Sequence, residues 1–210
     1  MPRKLNLLFV QQTALKKRLR IFTPDEFRRA FGVSLSAARD YLKKHSHGSE
    51  SLFLKLRNGI YTLRTHLPDE YVTANRIYQP SYVSLETVLA RHSIIPEIVY
   101  TITSVTPKAT REFTTGWLTF SYQRIKRQAF TGYVPTREEG SLALVAVQEK
   151  AVADYLYFVD LKHKILNDRL DLAKVSRVKV ETYARLFGRK SLMDLIARVY
   201  DDQRKPRRIY

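Results

Sequence analysis

The chain of 210 residues contains no cysteine. That excludes disulfide frameworks, thiolate nucleophiles and cysteine zinc sites, and it is compatible with an intracellular, cytoplasmic home. No apolar run approaches the roughly 18–20 residues of a membrane span, so no membrane association is expected. The basic N-terminus gives way to Gln11, Gln12, Lys16 and Lys17, unlike a secretory signal. The phosphate-cradling patterns GxxxxGK[ST] and GxGxxG are missing, as are internal repeats and low-complexity tracts. Acidic residues are scarce: 20 Asp and Glu stand against 37 Lys and Arg, a formal net charge of +17. Such an excess draws polyanions, but alone it does not separate DNA from RNA or an anionic membrane.

Catalytic and metal-binding sets are thin. His45 and His47 are two residues apart with no clustered third ligand, so no metal or other cofactor is expected. Glu149, Asp154 and Asp160 invite a nuclease reading. An acid-lysine pair at a helix start fits dipole capping and surface pairing equally well. The expectation is a binding protein, not an enzyme.

Three segments emerge. Residues 1–64 hold 14 Lys and Arg against 4 Asp and Glu, and residues 81–210 hold 22 against 14. Between them THLPDEYVTANRIYQPS is polar, carries two prolines and reads as a junction over 65–80. In the first segment, LNLLFVQQTALKKRL has helical spacing in which Leu8, Val10 or Gln11, Leu15 and Leu19 recur. Thr23, Pro24 and Glu26 have the spacing of a capping box with proline at the first helical position. After Gly32 and Val33, Ser34 can cap a third helix. Leu35, Ala38 and Leu42 share its apolar face. Ser36, Ala37, Asp40, Lys43 and Lys44 lie opposite, with Arg39 on the flank.

Two short helices across a glycine-containing turn match helix-turn-helix spacing. Small residues early on the third helix permit approach to base edges, and later bases reach phosphates. The helices alone fit a solvated helical hairpin just as well. Asn58-Gly59 tips the reading, because it is a favoured two-residue hairpin turn. It pairs Arg57 with Ile60, Leu56 with Tyr61, Lys55 with Thr62 and Leu54 with Leu63. Leu54, Leu56, Tyr61 and Leu63 then share one face, and Lys55, Arg57 and Thr62 the other. Three helices and a basic hairpin make a winged helix-turn-helix. Ser36, Ala37, Arg39, Asp40, Lys43, Lys44, Lys55, Arg57 and Asn58 are its expected DNA contacts. RNA binding and a protein-docking winged helix stay open.

The remainder reads as mixed α/β, for an α+β chain overall. SYVSLETVLARHS has a helical pattern with Ser81 as a possible cap. IVYTITSVTP, WLTFSYQRI, AFTGYVP and SLALVAV read as strands. EKAVADYLYFVDLK, VKVETYARLF and KSLMDLIARVY follow as helices. Arg111, Arg124, Lys126 and Arg127 are possible additional nucleic-acid contacts, and the basic tail DDQRKPRRIY reads as free.

YQPSYVSLETVLARHSIIPE (78–97) and VYTITSVTPKATREFTTGWLTFSYQRI (99–125) resemble the body of the AbiEi-type antitoxins. AFTGY (129–133) and LVAVQEKAVADYLY (144–157) continue the resemblance. Gln148 departs from the proline that relatives commonly carry before the glutamate-lysine pair. The resemblance implies an autoregulating transcriptional repressor and antitoxin of a type IV, phage-defence toxin–antitoxin operon. Its winged helix would bind inverted repeats in its own promoter as double-stranded DNA. Residues 81–210 would counteract a nucleotidyltransferase-like toxin without a stable complex. A replication or processing factor is the competing expectation.

Overall fold

Local capping chemistry sets the first helices. The computed structural model describes residues 5–48, 50–116, 118–138 and 140–203. Asn6 caps α1 (Leu7–Lys16) by accepting from the Phe9 amide at 2.7 Å. Strand β1 (Ile21–Phe22) leads into α2 (Pro24–Phe31), where the capping box forms as expected. The Glu26 carboxylate accepts from the Thr23 amide at 2.7 Å, and Thr23 Oγ1 accepts from the Glu26 amide at 3.2 Å. Gly32, at φ 67, ends α2 in the left-handed region that glycine tolerates best. Ser34 caps α3 (Leu35–Lys44) by accepting from the Ala37 amide at 3.1 Å. Strands β2 (Phe53–Arg57) and β3 (Ile60–Leu63) complete an antiparallel sheet in the order β1-β3-β2.

This unit has its own small core, in which Val10, Ala14, Ala38 and Leu42 meet an aromatic cluster. The rings of Phe22, Phe27 and Phe53 lie 5.6–6.0 Å apart. The inward face of α1 differs from expectation. Val10 is buried from the expected series, but Leu8 and Leu15 are 64% and 37% exposed, and Ala14 packs beside Val10 instead. A dense apolar run supports more than one helical phase, and here the Val10–Ala14 pair is the one buried.

The hairpin departs further. Arg57 faces Ile60 as expected, but a bulge between Lys55 and Arg57 shifts the register by one residue. Lys55 pairs with Tyr61, Leu54 with Thr62 and Phe53 with Leu63. Gly59, at φ 76, supplies the left-handed residue of the turn. The apolar side chains consequently divide. Phe53, Tyr61 and Leu63 join the small core, whereas Leu56 and Ile60 join the larger one. All of β3 is buried.

The segment at 65–80 contains a packed helix, α4 (Glu70–Ile77). The Asp69 carboxylate caps it, accepting from the Tyr71 and Val72 amides at 2.8 and 3.1 Å. Tyr122 donates its hydroxyl hydrogen to the Ala74 carbonyl at 2.6 Å, and Asn75 bonds the Leu144 backbone in both directions. Arg76 reaches back to Glu26 at the start of α2.

Then follow β4 (Tyr82–Val83), α5 (Glu86–Arg91), β5 (Thr101–Thr106), β6 (Arg111–Thr114), β7 (Thr119–Arg124), β8 (Tyr133–Glu138) and β9 (Ser141–Ala146). They build a mixed sheet in the order β6-β7-β5-β4-β9-β8. The helix expected from Ser81 is shorter than its pattern. Tyr82 and Val83 form a strand between β5 and β9, and Leu85, at φ 58, turns the chain into α5. AFTGYVP is strand only from Tyr133, where β8 begins; its first residue, Ala129, ends a 3-10 turn at Arg127–Ala129. Pro135 is tolerated there because β8 is an edge strand. Helices α6 (Gln148–Asp160), α7 (Arg177–Arg185) and α8 (Lys190–Gln203) close the chain, with α6 buried from Glu149 through Phe158. Trp117 and the tail beyond Gln203 lie outside the described residues.

Glu26 ties the two parts together. Burial opposes its charge, but hydrogen bonds from Thr23 and Arg76 hold its carboxyl below the ordinary value of 4.5. We predict that Glu26→Ala costs about 1–2 kcal/mol, as for a lost helix cap. A group with a depressed folded pKa stabilises fully above its unfolded value. The difference between Glu26→Ala and the parent should therefore be complete near neutrality and shrink as pH falls below about 4.5. Urea unfolding at several pH values reads this directly, and a pH-independent difference would contradict it.

Candidate nucleic-acid interface

Helix α3 presents one outward face because its other side is committed. Ala38 and Leu42 are fully buried, and Tyr41 lies against Phe27 with ring centroids 5.7 Å apart. Ser36, Ala37, Arg39, Asp40, Lys43 and Lys44 are all exposed. The i, i+4, i+7 spacing of Ser36, Asp40 and Lys43 lines them along one stripe. Among the described residues, no ion pair engages Arg39, Asp40, Lys43 or Lys44. Asp40 and Lys44, although spaced for an i, i+4 pair, therefore do not engage each other. Lys43 and Lys44 occupy the last turn, where the helix dipole favours cations.

The hairpin residues behave unequally. Lys55 and Asn58 are exposed. Arg57 is half-buried, and its Nε donates to the Ile77 carbonyl at the end of α4, at 2.5 Å. That bond makes it a strut between hairpin and body. Nothing in the local sequence signalled this, because the acceptor is twenty residues away.

The four cations suggested in the second part come together at one end of the large sheet. Arg111 pairs across the sheet with Tyr122, which puts Arg124, two residues along β7, on the same sheet face. Arg124, Lys126 and Arg127 line a common hollow with Lys108, which sequence reading missed. Lys126 Nζ donates to the Phe187 carbonyl at 2.5 Å. Arg111 lines an adjoining hollow that also contains Lys108 and Arg57. The signal for Lys108 was its place in the turn between β5 and β6, which was hidden because β6 was not anticipated.

Glu149, Asp154 and Asp160 do not converge on a common site. Asp154 is buried against Lys150, Asp160 pairs with Arg189, and Glu149 lies 3.8 Å from Lys179. The His47 ring Nδ1 is 2.6 Å from the Lys43 carbonyl, and His45 packs on Tyr41. Among the described residues no group of three His, Asp or Glu could hold a metal ion, and no helix is long and apolar enough to cross a membrane.

In class, the chain is a mixed α+β protein with eight α-helices and two sheets among the described residues. Among solved structures it is similar to the RV2827C protein from Mycobacterium tuberculosis. That similarity has a TM-score of 0.56 at 14% identity and covers 94% of this chain and 76% of that one. No family model and no curated protein matches the sequence.

Proposed function

We propose that this protein is a transcriptional repressor that binds double-stranded DNA through a winged helix-turn-helix and serves as the antitoxin of its own operon. The carrying observation is the face of α3: six exposed side chains, small at the N-terminal end and basic at the other, with no acidic partner for the cations among the described residues. The succession α1-β1-α2-α3-β2-β3, with β3 between β1 and β2, supports the winged helix-turn-helix reading. In this reading Ser36, Ala37 and Asp40 approach base edges, while Arg39, Lys43 and Lys44 hold phosphates. Lys55 and Asn58 supply the wing, with Arg57 bracing it from behind.

Antitoxicity rests on the resemblance of residues 78–157 to AbiEi-type proteins. The expected toxin is a nucleotidyltransferase-like protein that is neutralised without a stable complex. The deciding experiment is a footprint of the full-length protein on its own upstream region, with inverted repeats as the expected protected sequence. Co-expression with the toxin, read as growth rescue beside a promoter reporter, tests the second half. Absence of protection would remove the repressor, and absence of rescue would remove the antitoxin. Protection confined to the parent, with Ser36→Arg shifting the preferred sequence, would identify α3 as the reader.

A further inference from the structure

We propose that a second basic surface, the groove where the large sheet meets the end of α4, binds single-stranded nucleic acid. This goes beyond duplex recognition and uses different side chains. Two adjoining hollows, of about 550 and 770 Å³, share Lys108. The first reaches Gly59 at the hairpin turn and contains Arg111, and the second contains Arg124 and Arg127.

Charge is the first argument. Arg57, Arg76 and Lys126 also line these hollows, but each is already engaged, by the Ile77 carbonyl, by Glu26 and by the Phe187 carbonyl. They hold the walls in place. Lys108, Arg111, Arg124 and Arg127 are exposed and make no ion pair among the described residues. Glu112 follows Arg111 on β6, and strand alternation puts it on the opposite sheet face. Arg111 and Arg124 are diagonal neighbours across β6 and β7, about 7–8 Å apart by ordinary sheet geometry. Two such cations can meet successive phosphates of one extended strand.

Shape is the second argument. A duplex keeps its bases stacked inside and is too wide for hollows of this size, so it can cross only their rims. A single strand can offer both phosphates and base faces. The groove lining supplies both complements: exposed cations, and the half-buried rings of Tyr78, Phe113 and Phe130. Lys108 Nζ already lies 5.8 Å from the Tyr78 ring centroid, so one cation and one ring are held together. Basic grooves with interleaved aromatic rings are how sequence-tolerant single-strand binders work.

The test uses the full chain and fluorescence anisotropy. The probes are labelled oligo-dT and oligo-U of about 12 nucleotides, within the range of single-strand site sizes, and a duplex of equal length. Arg124→Glu with Arg127→Glu is the groove variant. Lys162→Glu with Lys190→Glu, also exposed cations, reverses the same charge elsewhere. Circular dichroism and thermal unfolding confirm that each variant is folded. The groove variant should weaken single-strand binding by about tenfold or more, from two lost phosphate contacts, and duplex binding by less than about threefold. The control pair should leave single-strand binding nearly unchanged.

Equal weakening by the control pair would reduce the effect to bulk charge and overturn the proposal. So would undiminished single-strand binding in a folded groove variant, or none in the parent. ATP competing as well as the oligonucleotide would replace the strand with a single nucleotide and overturn it too. Lys43→Ala with Lys44→Ala should give the reverse pattern, losing duplex and keeping single strand. A failure of the α3 reading is thereby separable from a failure of this one.

Discussion

Removing Arg39, Lys43 and Lys44 together should abolish most duplex binding at physiological salt while leaving the fold intact. All three are exposed and without ion pairs among the described residues, and the core beneath them is made by Ala38 and Leu42. Each phosphate contact releases condensed counterions and contributes about 0.9 to the slope of log affinity against log salt. Three lost contacts should flatten that slope by up to about 2.7 and weaken binding on the order of 10²-fold near 0.1 M salt. Operator and random duplexes should suffer alike, because phosphates carry no sequence. Anisotropy titrations of Arg39→Ala/Lys43→Ala/Lys44→Ala across a salt series give both quantities. An unchanged slope would place α3 away from the DNA backbone.

What could be read from the sequence was what local chemistry specifies. The starts of α2 and α3 were legible because Thr23, Glu26 and Ser34 cap through bonds spanning three residues. The exposed face of α3 was legible because helical periodicity assigns faces without knowledge of the partner. The hairpin was legible at its turn and not beyond it, since the bulge near Leu56 answers to two cores on opposite sides. Helix α4 was concealed by flanking prolines, although Asp69 was its cap. Tyr82 and Val83 read as helix because their strand partners, β5 and β9, lie about 20 and 60 residues further along. The basic groove was least legible, being assembled from the hairpin, α4, two strand ends and a 3-10 turn. Four of its cations stood out singly, but their convergence on Lys108 is a property of the sheet.

Asp154→Ala should be among the most damaging single substitutions in the body of the protein. Sequence pattern made Glu149-Lys150 a surface feature, yet Lys150 and Asp154 are both fully buried and pair one turn apart on α6. Burial pushes the Asp154 carboxyl above its ordinary range, opposed by Lys150 and by hydrogen bonds from Ser84 and Tyr82 at 2.9 and 3.0 Å. The Lys150 ammonium also sits 4.8 Å from the Phe187 ring centroid. Truncating Asp154 would leave a buried cation without its anion and two hydroxyls without their acceptor. The expected loss is about 3–5 kcal/mol, the usual cost of breaking a buried pair from one side. Lys150→Met with Asp154→Leu removes both charges and should cost far less than the single change, because desolvation of both ions disappears along with their attraction. Gly132→Ala probes the same packing from outside: a Cβ there would stand 2.8 Å from Lys150 Cγ and 2.7 Å from Tyr183 Cε1, on a backbone at φ 78. Urea midpoints at constant m-value measure all three. A loss below about 1 kcal/mol for Asp154→Ala would mean that the pair is not a compensated charge pair, since an orphaned buried ammonium cannot be that cheap.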